Sequence, residues 1–224
     1  MSVAMPFTAE QFFEIFAAWN NAIWPFQWFA YALGVLALLL LFRRKRYSTR
    51  YILLILASMW IVNGVGYHWM FFSRINPLAW LFAVAFLLQA FLLLSFAMLG
   101  LRIRIVPTWD MRTLTGLGLA LYAMLIYPLL GQALGHVFPA APAFGVAPCP
   151  TTIFTIGLLL LGSWRTSRWL LLIPAIWGIV GGSAAILLGL PQDYGLLVAV
   201  AAAGCVAIVE GLGAGCARHV PDPN

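Results

Sequence analysis

PLAWLFAVAFLLQAFLLLSFAMLGL, residues 77–101, contains no Asp, Glu, Lys or Arg, and its one strongly polar side chain is Gln89. An α-helix crosses the hydrocarbon core of a bilayer with roughly 20 predominantly apolar residues. Segments of the same kind lie on both sides of it: Asn21–Phe42 and Tyr51–Phe72 before, then Thr113–Leu134, Ala147–Ser163, Trp169–Leu190 and Tyr194–Cys216 after. Ala147–Ser163 is the shortest and opens with Pro148 and Pro150. The expected fold is all-α: a polytopic membrane bundle of about seven transmembrane helices in a single membrane domain, 1–224.

Composition agrees. The chain is 64% hydrophobic and 8% charged, whereas soluble domains carry roughly 25% charged residues. The net charge of +6 does not point to nucleic acid, because the basic residues sit between apolar segments. Arg43, Arg44, Lys45, Arg46 and Arg50 occupy the first loop, Arg102, Arg104 and Arg112 the third, Arg165 and Arg168 the fifth, and Arg218 the tail; Arg74 alone falls on the other side. The positive-inside rule then puts the C-terminus in the cytoplasm and the N-terminus outside. Residues 1–20 are expected to form an outer interfacial helix opened by a capping box at Thr8-Ala9-Glu10-Gln11, 21–216 the seven spans, and 217–224 a cytoplasmic tail. The first and last three spans share orientation, an outer proline and a basic inner loop, which would suit a three-plus-one-plus-three repeat.

Polar side chains inside spans are costly and face the bundle interior. Asn63, Tyr67, His68, Gln89, Tyr127, Gln132, Cys149, Thr151 and Thr152 concentrate in the middle and outer depths and are the candidate substrate pathway, an outward-facing polar vestibule. Asn63 and Gln89, at matched depth on consecutive antiparallel helices, are placed to meet, although such amide pairs also serve as packing glue. Pro148-Cys149-Pro150 prevents regular helix before it, so irregular backbone there must be buried in protein or line water. His68, His136 and Cys149 are the candidate donors for a metal or haem, with a rigid helix start and an inert thiol as the plainer reading. Glu210, in the inner third of the last span with no cation expected at its depth, is the candidate proton-coupling group, the alternative being a pair with an inner-loop arginine such as Arg165. Gly178 and Gly182, at GxxxG spacing, form a small-residue packing face. No nucleotide-binding glycine motif is present, and the single lysine, Lys45, lies in a loop.

Met5-Pro6-Phe7-Thr8 with the helix after it, Tyr67-His68-Trp69 through Ile75-Asn76-Pro77, Gln89, Pro148–Thr155 and Pro191-Gln192-Asp193-Tyr194-Gly195 together resemble a family of bacterial multi-spanning membrane proteins known only as a domain of unknown function. The resemblance implies a bacterial inner-membrane location and supplies no activity.

Three functions follow as expectations. The first is a small-solute or ion transporter or channel with proton coupling. The second is a membrane-embedded metal- or haem-binding redox protein or enzyme. The third is a seven-helix receptor or assembly partner. The expected partners are the lipid bilayer and a small solute or ion, with a homo-oligomer left open and no nucleic acid.

Overall fold

The computed structural model describes residues 6–43, 45–99, 103–108 and 110–216. The expected tail, 217–224 with Arg218, lies outside the described residues, as do Arg44 and Arg102. Among the described residues every regular element is helical. They are α1 (Ala9–Ala22), α2 (Phe26–Phe42), α3 (Arg46–Ile61) continuing as a π-helix (Val62–Phe71) that closes in one tighter 3₁₀ coil (Phe72–Arg74), α4 (Ala79–Met98), α5 (Met111–Leu121) running through a π segment (Tyr122–Ile126) into α6 (Tyr127–Ala133), α7 (Pro148–Leu160), α8 (Trp164–Leu188), a 3₁₀ turn (Pro191–Tyr194) and α9 (Gly195–Cys216).

Among the described residues, five helical rods are long and apolar enough to cross a membrane: α3 with its π extension, α4, α5–α6, α8 and α9. Counting α1 and α2, bent 87° to one another, as one broken unit makes six. α7 is apolar but has only 13 residues, which rise about 20 Å.

The packing suits a bilayer. On α4 the buried positions are mostly small or polar, namely Ala79, Ala83, Gln89, Ala90 and Ala97, while Leu81, Val84, Leu88 and Phe91 face outward. Lipid tails are as apolar as leucine, so close backbone approach, rather than expulsion of large side chains from solvent, draws membrane helices together. The Gly178–Gly182 face follows this logic within the chain. A Cβ on Gly182 would meet the Leu197 side chain at 2.5 Å, so the face seats α8 on α9. Where α5 crosses α7, a Cβ on Gly157 would come to 2.6 Å from the Gly116 carbonyl. All of α7 is buried, which makes it the axis of the bundle.

The basic loops meet at one end. The Thr49 hydroxyl accepts from the Ile105 amide, and Ile105 forms an isolated antiparallel bridge with Gly162. At the opposite end α1 begins with the expected capping box: Thr8 Oγ1 accepts from the Gln11 amide at 3.2 Å and Gln11 Oε1 from the Thr8 amide at 2.9 Å. This helix is clamped to the bundle rather than merely resting beside it. Trp19 Nε1 donates to the Val146 carbonyl at 2.8 Å, and Asn20 donates to Pro139 and Ala141.

Two helices depart from α geometry. Val62–Phe71 contains Gly64 and Gly66, and the missing Cβ at Gly66 leaves room for the Trp19 ring. Tyr122–Ile126 precedes Pro128, which has no N–H to return to the carbonyl four residues back. π segments of this kind frequently sit at functional sites, and here they carry or adjoin Asn63, Tyr67, His68 and Tyr127.

Candidate functional site

The left-handed glycine Gly189 (φ +66°) ends α8, and Pro191 opens the short 3₁₀ turn. That turn folds back into the bundle, so Gln192 and Asp193 are buried. Tyr122 Oη donates to the Gln192 carbonyl at 2.7 Å, and Gln192 Nε2 lies 3.1 Å from His136 Nδ1. Tyr127 Oη donates to Asp193 Oδ1 at 2.5 Å. The thiol of Cys149, held in the first turn of α7 between two prolines, is within hydrogen-bonding reach of the same carboxylate. Tyr67, on the π segment after α3, is an electrostatic neighbour of both Cys149 and Asp193, yet its buried hydroxyl has no hydrogen-bond partner among the described residues.

Tyr67, Cys149 and Asp193 contribute to the lining of a cavity of about 520 Å³ between α1, the Val62–Phe71 segment, the start of α7 and the second half of α8. Its walls are Phe7, Phe12, Phe16, Phe72, Phe82 and Trp177 with aliphatic side chains of α8 such as Ile179, Val180 and Leu187. The vestibule expected to be polar is therefore aromatic and aliphatic, with its ionisable groups gathered where α7 begins. Phe16 stacks on Tyr67 with ring centroids 4.6 Å apart, and this contact helps fix the orphan hydroxyl at the cavity.

The other expected pathway residues go elsewhere. Asn63 Nδ2 donates to the Met59 carbonyl at 2.8 Å and reaches the Gly145 carbonyl and Thr151 Oγ1. Gln89 instead donates to the Leu170 carbonyl on α8 at 2.9 Å. The expected Asn63–Gln89 pair is thus replaced by two separate ties, because the aromatic pair Trp60–Phe86 fills the contact between α3 and α4. Thr151 and Thr152 are fully buried on α7, the first bonded to the Ala147 carbonyl and the second, by its side chain, to no partner among the described residues. Gln132 is exposed at the end of α6 and does not line the cavity.

The three candidate metal donors do not converge. His68 is enclosed by Tyr67, Phe72, Phe82, Phe86 and Trp177, with neither ring nitrogen hydrogen-bonded among the described residues. His136 stacks under Phe13 at 4.3 Å and bonds Gln192, and burial against these neighbours lowers its pKa, opposed by that hydrogen bond. Among the described residues no group of three His, Cys, Asp or Glu side chains is placed to hold a metal ion.

Glu210 is corrected as well. Its Oε1 lies 2.6 Å from Nη1 of Arg112, whose Nη2 also donates to the carbonyls of Leu160 and Gly162 at 2.9 and 2.7 Å. The carboxyl expected to stand without a cation is held by one, because Arg112, at the start of α5, reaches along the helix to the C-terminal end of α7. A cation there complements the helix dipole. The arginine is a brace for α5, α7 and α9, and Glu210 is part of it.

The model of a family described as a family of unknown function, DUF6064, matches residues 9–218. The chain belongs to this family. No curated protein and no solved structure matches it. The matched range takes in the cavity residues carried by α1, the π segment, α7, α8 and the 3₁₀ turn.

Asp193 is the site residue the sequence reading left out. It sits in what reads as an outer turn between two spans, where an acid is usually solvated. The signal was present in the stretch Pro191-Gln192-Asp193-Tyr194-Gly195: an acid between two apolar segments, flanked by residues that set a compact turn.

Proposed function

We propose that this chain is a bacterial inner-membrane carrier that takes a small amphipathic molecule from the outer side into the cavity between α1, α7 and α8. The observation that carries this reading is the cavity itself: about 520 Å³, walled by aromatic and aliphatic side chains, with Tyr67, Cys149 and Asp193 in its lining. Ligand sites are typically mostly apolar with a few convergent polar groups that orient the occupant. An apolar tail would lie along Phe12, Phe72 and α8, while a single polar head meets the unspent Tyr67 hydroxyl and the Asp193 carboxylate.

The same proposal has the chain crossing the membrane seven times, with α7 as the short fifth crossing, the N-terminus periplasmic and the C-terminus cytoplasmic. Residues 144–147 ahead of α7 are buried, and the Gly145 and Val146 carbonyls accept from Asn63 and Trp19. Irregular backbone at membrane depth is tolerated when protein satisfies it in this way. The 87° bend between α1 and α2 suits a first helix lying along the outer interface, and the clustering of the basic loops at the far end supports the orientation.

Uptake of a fluorescent medium-chain amphiphile into proteoliposomes tests the carrier reading, with Asp193→Asn and Tyr67→Phe as controls at the cavity. Saturable uptake that both variants weaken is the expected result. Binding without uptake would reduce the protein to a receptor for the same ligand, and neither would remove the reading. Reporters fused before Met1 and after Asn224 test the orientation; both on one side would overturn the odd number of crossings.

A further inference from the structure

We propose that Cys149 is a nucleophile that accepts an acyl group from an ester bound in the cavity, with Asp193 as its base. The inference rests on the reading of the cavity as a site for an amphipathic molecule and gives that site a reaction. Covalent catalysis needs a nucleophile, a base within hydrogen-bonding reach and a third group that orients the base. Here the Cys149 thiol reaches the Asp193 carboxylate, and Tyr127 Oη donates to Asp193 Oδ1 and holds it. The thiol also sits in the first turn of α7, a helix of 13 residues.

A buried Cys–Asp contact could be packing alone. Tyr67 is what packing leaves unexplained. Its side chain lines the same cavity, and its hydroxyl is buried and spends its donor on no protein group among the described residues. A free donor beside the nucleophile is what a tetrahedral oxyanion requires, and the aromatic and aliphatic walls suit the acyl chain. Cys205, the other described cysteine with a described environment, is exposed on α9 and has no such surroundings.

The step balances as follows. Asp193 takes the thiol proton as Sγ attacks the ester carbonyl carbon, and the carbonyl electron pair moves onto oxygen beside the Tyr67 hydroxyl. Collapse breaks the carbon–oxygen ester bond, and Asp193 returns the proton to the departing alcohol, leaving a thioester on Cys149. Water, or the hydroxyl or amine of an acceptor, then attacks the thioester and passes its proton through Asp193 to the leaving Sγ.

The test uses the full chain in nanodiscs with 4-nitrophenyl decanoate and, separately, a phospholipid as acyl donor, read by intact mass, peptide mapping and nitrophenolate release. Binding of a fluorescent fatty alcohol is measured in parallel. One acyl group on Cys149 with a matching burst is expected, absent in Cys149→Ala. Asp193→Asn should slow acylation by roughly 10²–10⁴-fold and Tyr67→Phe by roughly 10²-fold. Acylation from the phospholipid arm identifies a membrane lipid as donor; acylation from the nitrophenyl ester alone identifies a soluble ester. Acylation of Cys205 as fast as Cys149, or rates untouched by Asp193→Asn, would overturn the proposal as adventitious thiol reactivity. Fatty alcohol that binds without any acylation overturns the chemistry and leaves the binding site; absence of both overturns the cavity reading with it.

Discussion

Asp193 and Glu210 stand at opposite ends of one helical segment and are handled in opposite ways. Asp193 is 2% exposed and has as partners a tyrosine hydroxyl and a thiol, with no Lys, Arg or His in salt-bridge distance among the described residues. Glu210 keeps 35% of its side chain exposed and is paired to Arg112. An acid tied to a guanidinium that also caps a neighbouring helix is a structural part. An acid held by neutral donors beside a cavity keeps lone pairs for something else. Residue type and depth in the apolar segment do not distinguish the two; their partners do.

The largest effect expected from this contrast is at the brace. Arg112→Gln leaves Glu210 without its cation and the carbonyls of Leu160 and Gly162 without a charged donor, and should destabilise the protein by about 3 kcal/mol, read as a drop in the thermal midpoint in detergent. At the other pole, Tyr127→Phe removes the hydroxyl bonded to Asp193 and should lower stability by about 2 kcal/mol. A negligible change would mean that the Tyr127–Asp193 bond does not hold the turn. Glu210→Gln is expected to have a smaller effect, about 0.5 kcal/mol, because the pair is partly exposed and Arg112 retains both carbonyls. A loss equal to that of Arg112→Gln would move the weight of the brace onto the acid and undo the comparison.

The smallest effect is a pH dependence. Burial lowers the pKa of His136 from its ordinary 6.5, although its bond to Gln192 pulls the other way. The folded state therefore prefers the neutral ring, and the stability this contributes is present above pH 6.5 and lost as the pH falls from there through the lowered value. The thermal midpoint should slope downward on acidification in this window, and His136→Asn should flatten the slope. An unchanged slope would show that His136 is not linked to the turn bearing Asp193.

Much of the fold was legible because a bilayer reads composition directly. Long uncharged stretches can only be buried or lipid-facing, and basic loops can only be outside the hydrocarbon. The capping box at Thr8 and the packing role of Gly178 and Gly182 were equally readable, since both depend on local spacing. The site was only half legible. Tyr67 and Cys149 stood out as polar groups in apolar surroundings, but the same criterion also selected Asn63, Gln89 and Thr151, whose partners turned out to be carbonyls and hydroxyls of neighbouring helices. Depth along a helix is a one-dimensional coordinate and carries no information on which neighbour a side chain faces.

The sequence by itself determined that this is a helical protein with segments long and apolar enough to cross a membrane, with its charge gathered at the ends of those segments, because hydropathy and charge act residue by residue. Only the tertiary structure decided that α7 is the buried axis, that Arg112 rather than Arg165 meets Glu210, and that a turn between two long helices folds inward to set Asp193 against Cys149 and Tyr127. Those outcomes depend on which helices adjoin, and that is settled by close approach at small residues such as Gly116 and Gly157, a property of pairs of surfaces that no single segment contains.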